Sequence, residues 1–278
     1  MSITLFSDSN FRGDSMVVRN DLDTLRRTQV GNNPSSIKMT EDDDAILLCS
    51  KTNWNGEVFY LRGNHEISDL GDPDSGGKQG FRNSVTSVRV TPFTVKVNVT
   101  IVTGEDGTLP GTWSSRTEAN ADIATIISRA NDFYEDEKAL LKVELADTTF
   151  RADEKRFRMS EKEWGSIPAS WKKAHLIDVV FPDTIEGAVG LGNFPWHGKF
   201  CLVSARRATV DEMARTFVHE LGHYWGLTHE SGGGNPENIM TQSSTGKHIT
   251  QSRLRDGQIE DIQQKLARNL ARQGDRLE

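Results

Sequence analysis

The sequence predicts a multidomain protein of β plus α+β class: a sandwich of short antiparallel strands followed by a domain that mixes a twisted sheet with helices. Three observations predict it. Residues 1 to 91 carry brief apolar runs broken by Gly, Asn, Asp and Ser, with little helical periodicity. The same stretch holds an internal repeat of about 40 residues. From residue 92 onward strand patterns alternate with amphipathic helices, one of them carrying two histidines four residues apart. The expected domains are therefore 1–91 and 92–278.

The totals bound what such a chain does. Its 278 residues suffice for one large domain or two small ones, and 35% apolar content fits an ordinary globular protein. No run approaches the roughly 20 apolar residues that span a bilayer. A net charge of −7 argues against general nucleic-acid binding and leaves oligomeric state open. Two widely separated cysteines, Cys49 and Cys201, exclude a disulfide framework. The N-terminus lacks a charged region followed by an apolar stretch and a cleavage site. The expectation is a cytoplasmic protein, one exported by a signal-independent route, or one whose leader has been removed.

In the first domain, strand patterns fall at Ile3 and Leu5, Met16 to Val18, Ile37 and Met39, Ala45 to Cys49, Val58 to Leu61, and Val85 to Val90. The acidic run Glu41 to Asp44 reads as a solvated connection between the copies, and residues 69 to 80, rich in Gly, as a long loop. The repeat aligns Phe6-x₄-Phe11-x-Gly13 with Cys49-x₄-Trp54-x-Gly56. Each copy then closes on a matching end, Asn32-Asn33-Pro34-Ser35-Ser36-Ile37 and Asn83-Ser84-Val85-Thr86-Ser87-Val88.

Two such copies resemble the βγ-crystallin domain, a pair of Greek-key motifs in which an aromatic-x₄-aromatic-x-Gly segment folds the first hairpin. Cys49 stands where the second copy should have its first aromatic. Microbial members of that family bind calcium through Asn/Asp-Asn/Asp-x-x-Ser/Thr-Ser. The resemblance therefore implies calcium near Asn32, Ser35, Asn83 and Thr86. Gly31 and Arg82 occupy the first positions of the two segments and supply no anionic oxygen, which calcium favours. The structural alternative is that the hydroxyls satisfy their own turn backbone.

The second domain opens on Pro92 without a Ser/Gly linker. Val95, Val97, Val99 and Ile101 alternate as a strand with one buried face; Ala119 to Tyr134 carries a helical stripe of Ile123, Ile126, Ile127, Ala130 and Phe133. Leu140 to Leu145, His175 to Phe181 and Phe200 to Ser204 read as further strands, and Gly187 to Gly192 as a short edge. Thr209 and Glu212 form a capping box for the next helix, whose Met213, Phe217, Val218, Leu221 and Trp225 repeat on one side. A last helix starts near Ser252 or Asp256 and lines up Ile259, Ile262, Leu266 and Leu270.

The chemistry lies at His219-Glu220-Leu221-Gly222-His223-Tyr224-Trp225-Gly226-Leu227-Thr228-His229. Histidines four apart stack on one helix face and can share a zinc ion, with the adjoining Glu220 as general base. Gly226 can end the helix in a left-handed turn that brings His229 round as a third ligand. A bare His-Glu-x-x-His arises by chance in roughly one chain in a hundred of this composition, and the added Gly and His make chance a poor explanation.

This pattern resembles the metzincin zinc peptidases, whose signature is His-Glu-x-x-His-x-x-Gly-x-x-His followed by a methionine turn. The resemblance implies zinc held by His219, His223 and His229, Met240 as the apolar floor of that turn, and peptide-bond hydrolysis. It also implies a protein or peptide substrate lying extended along the edge Gly190, Leu191, Gly192 and Asn193, and an extracellular setting. Gln242 stands where the astacin subgroup has tyrosine, so the subgroup stays open. Cys49, within a strand pattern, does not sit in the cysteine motif by which some metzincins are kept latent. Two functions follow: a zinc endopeptidase whose first domain targets, stabilises or controls the cleft, or a calcium-binding structural or interaction protein with an inactive peptidase domain.

Overall fold

The computed structural model describes residues 3–31, 34–160, 167–174, 176–192, 200–206, 209–230, 237–241 and 249–273. It divides into two compact units, one of Met1–Phe93, Lys138–Leu140 and Asp256–Glu278, the other of Thr94–Glu137 and Leu141–Arg255.

The first unit is a two-sheet β structure. Strands β1 (Ile3–Asp8) and β2 (Arg12–Val18) form an antiparallel hairpin, and β3 (Ser36–Met39) pairs along the other side of β1, Ile3 opposite Met39. Strands β4 (Ala45–Cys49) and β5 (Val58–Arg62) repeat the hairpin, β6 (His65–Ile67) follows, and β7 (Ser87–Arg89) pairs with β4. The copies exchange strands. Sheet order is β2-β1-β3-β6 and β5-β4-β7, so β6 of the second copy completes the first sheet. In return Leu22 of the first copy bridges Val88 of the second. This is the Greek-key sandwich expected from the repeat. Alternation turns Ile3, Leu5, Ile37, Met39, Ile46, Leu48 and Val88 into one shared core.

The repeat also fixes the hairpin corners. Asn10, Phe11 and Gly13 have φ of 60°, 58° and 75°; Asn53, Trp54 and Gly56 have 54°, 55° and 86°. A side chain at Gly13 or Gly56 would collide with Ser7 Oγ or Ser50 Oγ, which accept the N–H of Asp14 and of Glu57. Phe6 and Phe11 meet edge to face at 5.8 Å. Cys49 leaves the second corner without that ring pair, and Trp54 instead sends its indole N–H to the Val88 carbonyl and stacks under Arg89.

The second unit is built on a five-stranded mixed sheet. Its elements are β8 (Phe93–Thr103), α1 (Arg116–Asp136), β9 (Leu141–Ala152), α2 (Glu154–Phe157), β10 (Arg158–Ser160), β11 (Ile177–Phe181), β12 (Thr184–Glu186), β13 (Gly190–Gly192), β14 (Phe200–Val203) and α3 (Val210–Tyr224). Sheet order is β13-β14-β11-β8-β9, with β8, β11 and β14 mutually parallel and β13 antiparallel on the edge. Strands β10 and β12 make a small parallel pair apart from it. Ser115 caps α1 by accepting the Glu118 N–H, so the helix begins three residues before the apolar stripe that predicts it. Strand β9 likewise runs well past Leu145, because its later residues are half exposed and carry no clean alternation. Helix α3 packs on α1, β13 and β14.

The last helix, α4 (Asp256–Gln273), packs on β5 within the first unit. Ile259, Ile262 and Leu266 are buried there. Gln264 accepts the Val58 N–H and donates to the Gly56 carbonyl, and ion pairs join Arg62 to Asp256 and Lys78 to Glu260. Gln263 donates to the Ala139 carbonyl on the segment between α1 and β9.

Candidate metal centre

Helix α3 begins as its sequence requires: Thr209 Oγ1 accepts the Glu212 N–H at 3.2 Å, and Asp211 and Glu212 lie at the positive end of the helix dipole. The helix ends at Tyr224. Gly226 then takes φ 94° and donates to the His223 carbonyl at 2.8 Å, while Leu227 N–H returns to the Gly222 carbonyl. Only glycine adopts that backbone at little cost. The reversal carries His229 back beside the helix.

His219, His223 and His229 converge. The Nε2 of His229 lies 3.2 Å from that of His219 and 3.0 Å from that of His223. The outer nitrogens of two are engaged elsewhere: His219 Nδ1 donates to the Ile239 carbonyl at 2.7 Å, and His223 Nδ1 to the Leu227 carbonyl at 2.8 Å. These bonds fix the tautomer and aim both Nε2 lone pairs at one point. Burial works the same way, pushing His219 down to about 3 and lowering His223 and His229, so all three rings are neutral at pH 7.

Zn–N bonds of about 2.0–2.1 Å at tetrahedral angles separate ligand nitrogens by roughly 3.3–3.4 Å. The observed spacings fall within a few tenths of an ångström of that value. Three neutral imidazoles, two of them held by carbonyls and almost wholly buried, fit a zinc ion in number and charge, and the two spacings from His229 fit it as well. Among the described residues no other group of His, Cys, Asp or Glu is placed to share a metal.

Glu220 follows the first of these histidines and is 4% exposed. Burial raises its carboxyl to about 8, against the lowering effect of the Gly192 N–H that donates to it. Met240 is fully buried, and its sulfur lies so close to Gly222 that a Cβ there would stand 2.4 Å from it. The turn holding it is tight: Met240 N–H donates to Asn238 Oδ1, and Thr241 N–H to the Asn238 carbonyl. It is also tied to the chain after His229, since Glu230 N–H donates to the Met240 carbonyl and the Glu230 carboxylate pairs with Arg255.

The expected substrate edge Gly190, Leu191 and Gly192 is strand β13, at the end of the sheet; Asn193 lies outside the described residues. So do Asn32, His175, His197, Gln242 and His248. In the first unit Ser35 Oγ lies 2.8 Å from the Ser7 carbonyl and 3.0 Å from Asn83 Oδ1, bringing one residue of each expected calcium segment together. Thr86 Oγ1 is buried and meets no hydrogen-bond partner. Both cysteines are buried and free; burial pushes Cys49, in β4, up to about 12, which leaves it an inert thiol.

Sequence reasoning missed the carbonyls of Ile239 and Leu227, because backbone acceptors leave no residue-type signal. Gly222 did leave one. A glycine inside a helix costs about 1 kcal/mol against alanine and asks for a packing reason, which the Met240 sulfur supplies.

No family model matches the chain, and no curated protein matches it significantly. Solved structures do. An archaemetzincin from Methanopyrus kandleri aligns over 62% of this chain and 96% of its own, at 15% identity and a TM-score of 0.45. A βγ-crystallin from Ciona intestinalis covers 33% of this chain and 100% of its own, at 20% identity and TM-score 0.27. A βγ-crystallin domain from Clostridium beijerinckii covers 32% and 97%, at 17% identity and TM-score 0.26. The fold described above stands on strand order, register and core composition.

Proposed function

We propose that the protein is a zinc-dependent endopeptidase of metzincin type, with His219, His223 and His229 holding the metal and Glu220 acting as general base. One observation carries the reading: the Nε2 of His229 meets those of His219 and His223 at 3.2 and 3.0 Å, the latter two rings anchored by carbonyls, beside the buried carboxyl group of Glu220. Zinc at such a site supplies Lewis acidity and an acidified water. The chain's own residues do the rest. Glu220 accepts a proton at its carboxylate and returns it to the leaving amine. Met240 and its turn support the histidines from below, and Ile239 and Leu227 keep two rings in the liganding tautomer. An extended protein or peptide substrate pairs along β13 as an added strand.

The reading keeps a boundary near residue 92 and gives residues 1–91 a part in targeting, stability or control of the cleft. The test is cleavage of unfolded casein by zinc-loaded protein. Glu220→Ala should keep zinc and lose cleavage, and a chelator should abolish cleavage by the parent. A Glu220→Ala protein that cuts as fast as its parent removes the general base from this account.

A second reading, a calcium-binding structural or interaction protein, is favoured by the Ser35–Asn83 contact and the unpartnered Thr86 hydroxyl. Calcium needs 6–8 oxygens, mostly anionic, and these groups are neutral. The discriminating result is a calcium-induced rise in melting temperature that Asn83→Ala abolishes, in protein without peptidase activity.

A further inference from the structure

Strand β13 reads Gly190-Leu191-Gly192, and both glycines are required by Glu220. A Cβ on Gly190 would stand 2.4 Å from Glu220 Oε1 and 2.5 Å from Thr216 Cγ2. A Cβ on Gly192 would stand 2.8 Å from Glu220 Oε2, 2.7 Å from His223 Cβ and 2.6 Å from the Glu220 carbonyl. Contacts under 3.0 Å are essentially unknown for real Cβ atoms. The two carboxylate oxygens therefore lie beneath the two glycines, one under each.

Register adds a second, independent constraint. Leu191 pairs with Leu202 and Gly192 with Cys201, and Ser204 N–H donates to the Val189 carbonyl. Hydrogen-bonded pairs alternate along an antiparallel ladder, so Leu191 bonds to β14 while the N–H and C=O of Gly190 and Gly192 face the open edge. An edge N–H of that kind is ordinarily left to solvent or to an added strand. Here Glu220 Oε2 lies against that position, 2.8 Å from where a Gly192 Cβ would stand.

We infer that Gly192 is a positioning residue for the hydrolytic reaction: its backbone N–H holds one Glu220 oxygen, and the missing side chains of Gly190 and Gly192 make the slot in which that carboxylate lies. The inference rests on the reading of Glu220 as general base for its kinetic consequence, but not for its geometry. It also divides the edge: Gly190 N–H and C=O and Gly192 C=O remain for a substrate strand, while Gly192 N–H does not. Holding the carboxylate matters because a misplacement of about 1 Å can cost on the order of 10²-fold in rate.

The test uses amide hydrogen exchange at Gly192 in the metal-free chain of residues 1–278, read residue by residue. The Gly192 amide should exchange slowly in the parent and in Glu220→Gln, which keeps an acceptor oxygen, and at least ~10-fold faster in Glu220→Ala. Equal exchange in all three proteins overturns the inference whatever the peptidase activity, because these variants leave the strand itself unaltered. Kinetics provide the second arm. Zinc-loaded Gly192→Ala should bind one zinc and keep KM within about threefold while kcat falls roughly 10²-fold. A folded Gly192→Ala enzyme with parental kcat overturns the inference. Slow exchange at Gly192 in the parent, faster exchange in Glu220→Ala and full activity of Glu220→Ala overturn the general-base assignment alone, so the two failures are distinct.

Discussion

His219 Nδ1 lies 2.7 Å from the carbonyl oxygen of Ile239, which ties the first histidine of α3 to the turn carrying Met240. A bond from a buried ring to a backbone carbonyl sets both the tautomer and the ring plane. The turn thereby fixes one ring of the candidate metal centre.

Met240 should report that coupling. Met240→Ala removes a fully buried side chain that fills the space against Gly222, at a cost of about 2–5 kcal/mol, whereas Met240→Leu keeps the volume and should cost under about 1.5 kcal/mol. Urea unfolding of the zinc-free proteins measures both. Zinc affinity should fall more for Ala than for Leu; an Ala variant with parental stability and affinity would show that the turn is dispensable.

The pH dependence of metal-free stability carries a sign that can be worked out. Glu220 sits at about 8 when folded against 4.5 as the ordinary value. Between those pH values the unfolded chain has lost a proton that the folded chain keeps, so stability falls as pH rises. His219, at about 3 against 6.5, has the opposite effect: its contribution is present above pH 6.5 and is lost as pH falls toward 3. The two oppose each other between pH 4.5 and 6.5, and above 6.5 the Glu220 effect stands alone of the two. Urea midpoints in chelator should therefore decline from pH 6.5 to 8 in the parent and stay flatter in Glu220→Gln. Parallel profiles would show that Glu220 is ionised in the folded protein.

Serines at the ends of the repeat should matter for stability and not for zinc. Ser36 Oγ accepts the Phe11 N–H at 3.0 Å and donates to the Asp8 carbonyl at 2.7 Å; Ser87 Oγ makes the corresponding bonds to Trp54 N–H and the Lys51 carbonyl at 3.1 and 2.6 Å. Replacing either by Ala strands two backbone groups per corner, about 1–3 kcal/mol for each group left buried and unpaired. Thermal unfolding followed by near-UV signal should show similar losses for Ser36→Ala and Ser87→Ala, with zinc stoichiometry unchanged. No loss in either would mean that the hairpins hold through their glycines alone.

How much of this was legible follows from range along the chain. The ligand pair four apart, the Gly226 turn and the Thr209 cap are local, and residue type alone displays them. The repeat was legible because two copies of one turn need the same glycine, the same positive φ and the same clamping serine. The strand exchange between the copies was not, since β6 and Leu22 bear no mark of which sheet they join. Nor was the seat of α4 visible: its apolar stripe promised docking, while the partner β5 lies some 200 residues earlier, held by Gln264 to Val58 and Gly56. The slot for Glu220 was half visible. The two glycines of β13 read as a sheet edge, and only the fold brings α3 beneath them.

That seat yields a further expectation. Ending the chain at Arg255 exposes the β5 surface that α4 covers and removes the buried Ile259, Ile262 and Leu266, each worth about 1.5–3 kcal/mol when fully buried. The β-rich unit should then melt at a markedly lower temperature by circular dichroism. An unshifted transition would place α4 outside the cooperative fold.

The central claim is that His219, His223 and His229 form one metal site, and zinc titration of the metal-free protein at pH 7.5 against a competing chelator tests it most directly. The account predicts one tightly held zinc per chain, lost on His219→Ala or His229→Ala. A parent chain that fails to bind zinc, or that binds it equally well without those imidazoles, contradicts it.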